Sequence, residues 1–244
     1  MNALVRLCSV AALLVCASLP AFSSARAQGL EVVPVNVQLA PGQQATTLTV
    51  TNRNADKVSF QVRGFSWQQD AKGDDVLAPT DALMSSPPIA TVQPGASQVV
   101  RLVLRQPPQG REGTYRIIFD QLPTPSEPGM IHVLIRLSIP VFAEPASRVV
   151  PEVTWRISND AGRWWLVATN HGTRHLTVSK MKLVAPDGQE LPVEVKAPPH
   201  ILAGATRRWP IQAKAGLSPN EVAHLTADAD VGAIDQRITV DTGP

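Results

Sequence analysis

One stretch near the middle of the chain, Met130–Phe142 (MIHVLIRLSIPVF), constrains the fold more than any other part of the sequence. Its alternate residues are all aliphatic: Ile131, Val133, Ile135, Leu137, Ile139 and Val141. This alternation has the two-residue period of a β-strand and not the period of a helix. Proline has no N–H to donate, so Pro140 places the strand at a sheet edge, at a bulge or near a strand end.

Two interpretations of this strand remain open. A long apolar edge strand is an aggregation hazard, so a soluble protein that keeps one is expected to pair it with the backbone of another chain. The alternative is a core strand of an ordinary sandwich with a bulge at Pro140, and the stretch alone favours this commoner case.

Residues 1–27 have the pattern of a cleaved signal peptide. Arg6 supplies a positive start, Leu7–Leu19 is an apolar run too short to span a bilayer, and Ala25–Ala27 is a small-x-small cleavage site. The chain is therefore expected to be exported to a bacterial periplasm or exterior.

Residues 28–244 contain no cysteine, because Cys8 and Cys16 both lie in the apolar run. Disulfides, cysteine-based zinc sites and cysteine nucleophiles are therefore excluded. The sequence has 22 Lys+Arg and 20 Asp+Glu, and two of the basic residues, Arg6 and Arg26, precede residue 28. The remaining charges balance, so no basic field favours nucleic acid or anionic lipid as a partner. No second apolar run approaches membrane-spanning length, so we expect no insertion into a membrane.

Short β-branched segments separated by turns, with 22 prolines among 244 residues, predict an all-β fold of two immunoglobulin-like β-sandwich domains. We expect the first domain at residues 28–143, a hinge at 144–151 and the second domain at 152–244. The predicted strands are Leu30–Val37, Ala45–Thr51, Val58–Trp67, Ser97–Leu104, Thr114–Gln121, Met130–Phe142, Glu152–Ile157, Trp164–Asn170, His175–Leu183, Leu191–Val195, Arg208–Ile211, Ala223–Ala229 and Gln236–Val240.

No constellation in the sequence predicts an enzyme, a metal site or a cofactor. His171 and His175 follow a strand and have no third ligand nearby in the sequence. Asp228–Gly232 begins like a calcium loop, but Thr239 stands where the loop needs an acid. Tryptophans could line a carbohydrate groove, although on two sandwiches they are more often core and rim. These are Trp67, Trp155, Trp164, Trp165 and Trp209.

Several segments follow one another in a characteristic order and spacing. The most specific are QPGASQVVR (Gln93–Arg101) and PPQGREGTYRIIFDQLP (Pro107–Pro123). The others are APGQ (Ala40–Gln43), LTVTN (Leu48–Asn52), LVAPDG (Leu183–Gly188), Leu202–Gly204 and Asp230–Gly232. With the Met130–Phe142 strand they are distributed along essentially all of residues 28–244. Together they resemble the periplasmic chaperones of the chaperone–usher pilus pathway.

This resemblance implies two immunoglobulin-like domains in an L or boomerang arrangement, a periplasmic location and a role that is not enzymatic. Pilus subunits of this pathway are incomplete sandwiches. The chaperone lends them a strand, by donor-strand complementation, and delivers them to an outer-membrane usher. The resemblance places the donor residues at Ile131, Val133, Ile135 and Leu137.

The sequence departs from the best-known branch of this family at its anchor for the subunit's C-terminal carboxylate. Asn36 and Pro140 stand where that branch has an arginine and a lysine, so the chain resembles the archaic branch, associated with spore-coat-protein-U-like subunits. A carboxylate in a partly dry cleft still needs a cation. Arg116 is the first candidate, with Arg136 and Arg101 as weaker ones. The alternative for Arg116 is a solvent-exposed side chain on its sheet.

A second departure concerns an interdomain salt bridge of the family, in which an arginine near the hinge joins two acids. The acids match Glu112 and Asp230, but the hinge position holds Glu144. Three carboxylates would repel one another. We therefore expect Arg111 or Arg148 to substitute, or the two domains to be set differently.

Two other classes of protein are alternatives to a chaperone. A structural or adhesive pilus component would need its own N-terminal donor extension, and residues 28–38 are too short because they pass directly into the first strand. A carbohydrate-binding or hydrolytic module would rest on the tryptophans, but the sequence shows no acid/base pair for hydrolysis.

Overall fold

A computed structural model describes residues 29–123, 133–195, 200–212 and 217–241. These residues form seventeen strands and no helix, which confirms the all-β prediction. None of them belongs to a helix long and apolar enough to cross a membrane. The predicted leader and the first predicted donor residue, Ile131, lie outside the described residues.

Ten strands make two facing sheets in the first half of the chain. They are β1 (Leu30–Val33), β2 (Val37–Leu39), β3 (Ala45–Asn52), β4 (Val58–Gln69), β5 (Asp75–Pro79), β6 (Leu83–Ser86), β7 (Ile89–Val92), β8 (Ser97–Leu104), β9 (Gly113–Gln121) and β10 (Arg136–Ala143). One sheet has the order β1-β3-β8-β6, and the other has β2-β10-β9-β4-β5 with β7 beside β4. The core between them is apolar, and its Phe60 and Phe119 rings lie 4.7 Å apart.

The first predicted strand, Leu30–Val37, is divided between these two sheets. β1 pairs antiparallel with β3, whereas β2 pairs in parallel with Val141–Ala143 at the end of β10. Pro34 lies between the two strands, and its ring removes a backbone donor where the chain changes sheet. β2 thereby covers the hinge end of β10 and leaves the rest of that edge uncovered.

The second half of the chain forms a separate sandwich with its own core. Its strands are β11 (Val153–Asp160), β12 (Arg163–Asn170), β13 (Leu176–Val184), β14 (His200–Ile201), β15 (Thr206–Ile211), β16 (Val222–Ala229) and β17 (Gly232–Asp241). They follow the order β14-β13-β16-β17-β11-β12-β15. Trp155 and Trp209 stack at 5.9 Å within this core.

The predicted strand Leu191–Val195 is wrong. Only an isolated bridge, Val193 to Ile211, forms there among the described residues. Two backbone hydrogen bonds of 3.0 Å flank this bridge, from Gln212 to the carbonyl of Pro192 and from Glu194 to the carbonyl of Pro210. Pro192 has no N–H with which to extend them into a continuous ladder.

Candidate functional site

Strand β10 lies at an edge of its sheet for most of its length. It pairs with β9 from Arg136 to Ala143 without a break, while β2 reaches only its last three residues. On that second side, Arg136–Pro140 have no strand partner among the described residues. The continuous pairing excludes a bulge at Pro140. β10 is an edge strand from Arg136 to Pro140 and a core strand at its hinge end, so each alternative describes one part of it.

The backbone hydrogen bonds show which residues face the open edge. The carbonyl of Ile135 accepts from the N–H of Gln121 on the β9 side, whereas the N–H of Glu144 donates to Leu39 on the β2 side. Backbone groups alternate in direction along a strand, so odd residues face β9 and even residues face the edge. The missing N–H of Pro140 is therefore on the open side, where it costs no bond to β9.

Among the described residues the strand begins at Arg136, so Val133 and Ile135 of the predicted Met130–Phe142 strand precede it. The odd side chains of β10 and of this preceding segment form a row that passes from the core into solvent. Val141 and Ile139 are 0% and 2% exposed, Leu137 packs partly against the same core, Ile135 is half-buried and Val133 is 84% exposed. The row therefore fills the domain's own core at the hinge end. At the other end its aliphatic side chains are uncovered, which is the arrangement an apolar partner strand or groove could use.

Two of the three predicted anchor residues lie away from the hinge end of this strand. Arg136 is exposed and bonds Asp120, which also accepts from Arg63 at 2.7 Å. Burial raises the pKa of Asp120, but the hydrogen bonds and charges of Arg63 and Arg136 outweigh it and hold that pKa below its ordinary value. Arg101 is exposed on β8, in the opposite sheet.

Arg116 lies at the junction of the two domains. It stands opposite Pro140 in the β9–β10 pairing, and its guanidinium carbon is 3.7 Å from the centre of the Trp67 ring. Its Nη2 is 3.5 Å from Asp75, which also pairs with Arg207 of the second domain at 3.0 Å. Its side chain is 14% exposed, so the solvent-exposed alternative is wrong. Burial lowers the pKa of this arginine, although an arginine remains charged at every working pH.

A buried polar network joins the domains at the hinge. Glu112 accepts from the backbone N–H of His175 at 2.9 Å, and the same carboxylate oxygen is 2.7 Å from the ring Nδ1. Arg174 pairs with Asp230 at 3.1 Å and with Glu144 at 3.6 Å. One arginine and one histidine of the second domain therefore meet the three carboxylates that the sequence brings to this place.

The expectation that Arg111 or Arg148 bridges these acids is wrong. The Arg111 guanidinium instead lies against Gly204 and donates to the carbonyl of Ala203 at 3.5 Å, and Arg148 is exposed. The bridging cation, Arg174, comes from the connection between β12 and β13. Sequence analysis missed it because it lies far along the chain from each of its partners.

The hinge end of β10 is inserted into an aromatic cluster between the domains. Phe142 is 1% exposed and stacks on the His175 ring, with ring centres 3.6 Å apart and an interplanar angle of 11°. Trp67 and His200 lie 5.7 and 5.4 Å away, and Leu202 packs into the same cluster. Trp67 is thus part of an interdomain core rather than of a carbohydrate groove.

His171 and His175 do not converge on a common point. His171 bonds Thr154 at 3.2 Å, while His175 faces Glu112 inside the hinge. Across the described ranges, no three His, Cys, Asp or Glu side chains group in a way that could hold a metal ion.

The buried His200 predicts a loss of stability in acid. Burial lowers its pKa to about 4, with neighbouring His175 and Arg116 acting in the same direction, from 6.5 in the unfolded chain. Between these values the unfolded chain binds a proton that the folded protein does not, so stability falls as pH falls, by about 3 kcal/mol in total. Urea unfolding midpoints at pH 7.5 and pH 4.5 measure this loss of stability. We expect His200→Asn to make stability depend less on pH. An equal dependence in wild type and variant would show that His200 is not its source.

Fold and site together define a two-domain, immunoglobulin-like protein that presents a sheet edge to another chain. Residues 29–148 match the family model described as pili and flagellar-assembly chaperone, PapD N-terminal domain. This range covers the first sandwich and the start of the hinge. The chain therefore belongs to the PapD-like pilus-assembly chaperones, a class of binding proteins and not of enzymes, as the sequence predicted.

Solved structures of low sequence identity share the fold over both domains. One is the CsuC–CsuE chaperone–tip adhesion subunit pre-assembly complex from archaic chaperone–usher Csu pili of Acinetobacter baumannii, with a TM-score of 0.64, 21% identity, and coverage of 88% of this chain and 100% of that one. The YadV chaperone has a TM-score of 0.61 and 18% identity, with coverage of 86% of this chain and 98% of that one. The Salmonella enterica SafA pilin–SafB chaperone complex has a TM-score of 0.57 and 14% identity, with coverage of 86% of this chain and 95% of that one. This likeness confirms the two-sandwich prediction. No curated protein matches the sequence.

Proposed function

We propose that this chain is a periplasmic chaperone that holds fimbrial subunits by donor-strand complementation and passes them to an outer-membrane usher. The observation that carries the proposal is the row of odd side chains along β10 and the residues just before it, which is continuous with the domain's core at Ile139 and uncovered at Val133. A subunit sandwich that lacks one strand offers the complement, an open apolar groove flanked by unpaired backbone.

The backbone of β10 supplies the pairing. Arg136 and Ser138 direct their N–H and C=O groups toward the open edge, where a strand of the subunit can bond them. The side chains of Val133, Ile135 and Leu137 then enter the groove, and Ile131 remains the fourth predicted donor residue. Burying an aliphatic side chain of this size is worth about 1.5–3 kcal/mol, so three or four of them form a strong apolar contact.

Arg116 remains the first candidate to anchor the subunit's C-terminal carboxylate. It lies across from Pro140, the position at which the best-known branch has its lysine, and so it can restore a cation close to that place. Its low exposure favours it over Arg136 and Arg101, since a charge-assisted bond is stronger where water is scarce. This assignment supports the archaic branch, in line with Asn36 and Pro140 and with the likeness to the Csu complex.

Co-expression tests the proposed function. The tagged chain is expressed in a periplasm together with candidate fimbrial subunits from its own source, and bound proteins are identified by mass spectrometry. We expect a small β-rich secreted subunit to remain soluble only when the chaperone is present, in a one-to-one complex. If every candidate is equally soluble alone, or if the chain captures none, the proposed function is wrong.

A further inference from the structure

We propose that the second domain completes the carboxylate anchor, with Arg207 and Arg116 forming a two-arginine clamp in which Asp75 holds the place of the subunit's terminal carboxylate. The inference rests on the proposed function and deepens it. It assigns part of subunit recognition to a residue of the second domain.

The geometry of Asp75 shows that the site already accepts a carboxylate. Its two oxygens are divided between the domains: Oδ1 lies 3.0 Å from Nη1 of Arg207, and Oδ2 lies 3.5 Å from Nη2 of Arg116. Both arginine side chains are about one-seventh exposed, at 15% and 14%. The Asp75 carboxylate is 36% exposed, so two largely buried guanidinium groups hold it at a place that solvent can reach. Arg207 contributes a charge-assisted hydrogen bond, and Arg116 contributes a longer ion pair.

The charges at this site do not balance. Two guanidinium groups face the single carboxylate of Asp75, and in the described part of the chain no other acid lies within ion-pair distance of either arginine. An excess of positive charge in a partly desolvated place favours an additional or replacement anion. The subunit terminus that the proposed function brings to this cleft has that charge.

Asp75 is placed on a part of the chain that can yield. It begins β5, an edge strand that is exposed along its whole length. Besides the two arginines, its side chain accepts only from Gln69, at 3.1 Å. No residue of β5 belongs to the buried cores, so the Asp75 carboxylate can move without opening one of them. The terminal carboxylate of a subunit would then replace a group of the same charge and shape.

The turn before Asp75 sets its distance to Arg207. Gly73 has a φ of +83°, and a Cβ at this position would lie 3.0 Å from the Cα of Arg207 and from the carbonyl of Thr206. Glycine therefore lets the β4–β5 turn approach the backbone of β15 closely. This contact fixes the clamp across the two domains before any subunit arrives.

N-acetyl-alanine, a small mimic of a chain terminus, tests the clamp on residues 28–244 without a subunit. Its binding is followed by NMR through the Nε–Hε signals of Arg116 and Arg207 and the indole N–H of Trp67, against N-acetyl-alaninamide as the uncharged control. We expect saturable binding of the acid only. Arg207→Gln should weaken it about tenfold, since a bond to a charged group is lost. Asp75→Asn should strengthen it several-fold, because the competing carboxylate is removed.

Arg237→Gln is the matched control, since Arg237 is an exposed arginine of the second domain that lies on β17 opposite His224 and not beside Asp75. It should leave the affinity unchanged. Equal binding of the amide, no saturable binding of the acid, or no gain with Asp75→Asn overturns the clamp. If Arg207→Gln changes the backbone NMR spectrum of the protein as a whole, the higher affinity expected for Asp75→Asn becomes the deciding result. Val133→Asp should bind N-acetyl-alanine normally, so failure of strand donation and failure of the clamp are separable.

Discussion

Aspartate at Val133 should reduce the affinity for a fimbrial subunit at least a hundredfold without changing the stability of the free protein. The side chain is 84% exposed and contributes nothing to the chaperone's own core. In the proposed complex it enters an apolar groove, where an unpaired carboxylate costs several kcal/mol. A hundredfold loss corresponds to about 2.7 kcal/mol. Calorimetric titration of the purified subunit measures the affinity, and thermal unfolding of the free protein checks the fold.

Two variants serve as controls for this experiment. Leu134 is the next residue and is 46% exposed, and in the proposed extended donor segment its side chain points away from the groove. Val99 is 52% exposed on β8, in the opposite sheet. Aspartate at either position should change the affinity less than tenfold. An equal loss at Val133 and Leu134 would show that the row is not inserted alternately, and donor-strand complementation would then be the wrong mechanism.

Phe142→Ala should lower the free energy of unfolding by about 3–5 kcal/mol, the range for truncating a buried phenylalanine. The ring is 1% exposed and contacts aromatic side chains of both domains, Trp67 on one side and His175 on the other. Its loss leaves a cavity at the hinge, so the domains should also unfold less cooperatively. Urea unfolding followed by tryptophan fluorescence, together with calorimetry, measures both effects.

Phe65→Ala is the comparison for Phe142→Ala, because Phe65 lies on the outer face of the same sheet and is only half-buried. Phe65→Ala should lower the free energy of unfolding by clearly less than Phe142→Ala. Two results would rule out an energetic role for the aromatic cluster. One is a decrease in the free energy of unfolding of less than about 1 kcal/mol for Phe142→Ala, and the other is equally cooperative unfolding in wild type and variant.

The strands that could be predicted from the sequence are those whose two faces differ. β3, β4, β8, β9 and β10 each have a buried row, and an apolar alternation marks it in the sequence. β5 was not predicted because all of its residues are exposed, and so it carries no such alternation. β6 and β7 are four residues each and flank Pro87 and Pro88, so neither is long enough to show a clear alternation.

The hinge and the clamp could be predicted only in part. Glu112 and Asp230 were identified through the family resemblance, and both lie in the hinge network. Their partners Arg174 and His175 lie more than 50 residues from at least one acid, and only the packing of two domains brings them together. Sequence spacing holds no record of such contacts. Asp75 and Arg207 were missed for the same reason, at a separation of 132 residues.

Pro140 limits how far an incoming strand can travel along β10. Toward the hinge, the proline offers no N–H on the open side, and Val141–Ala143 are already occupied by β2. A subunit strand that slid two residues in that direction would lose a hydrogen bond and meet β2. A slide of one residue would turn every donor side chain away from the groove. Pro140, which stands where the best-known branch has its charged anchor, thus restricts the pairing between β10 and the subunit strand to a single register.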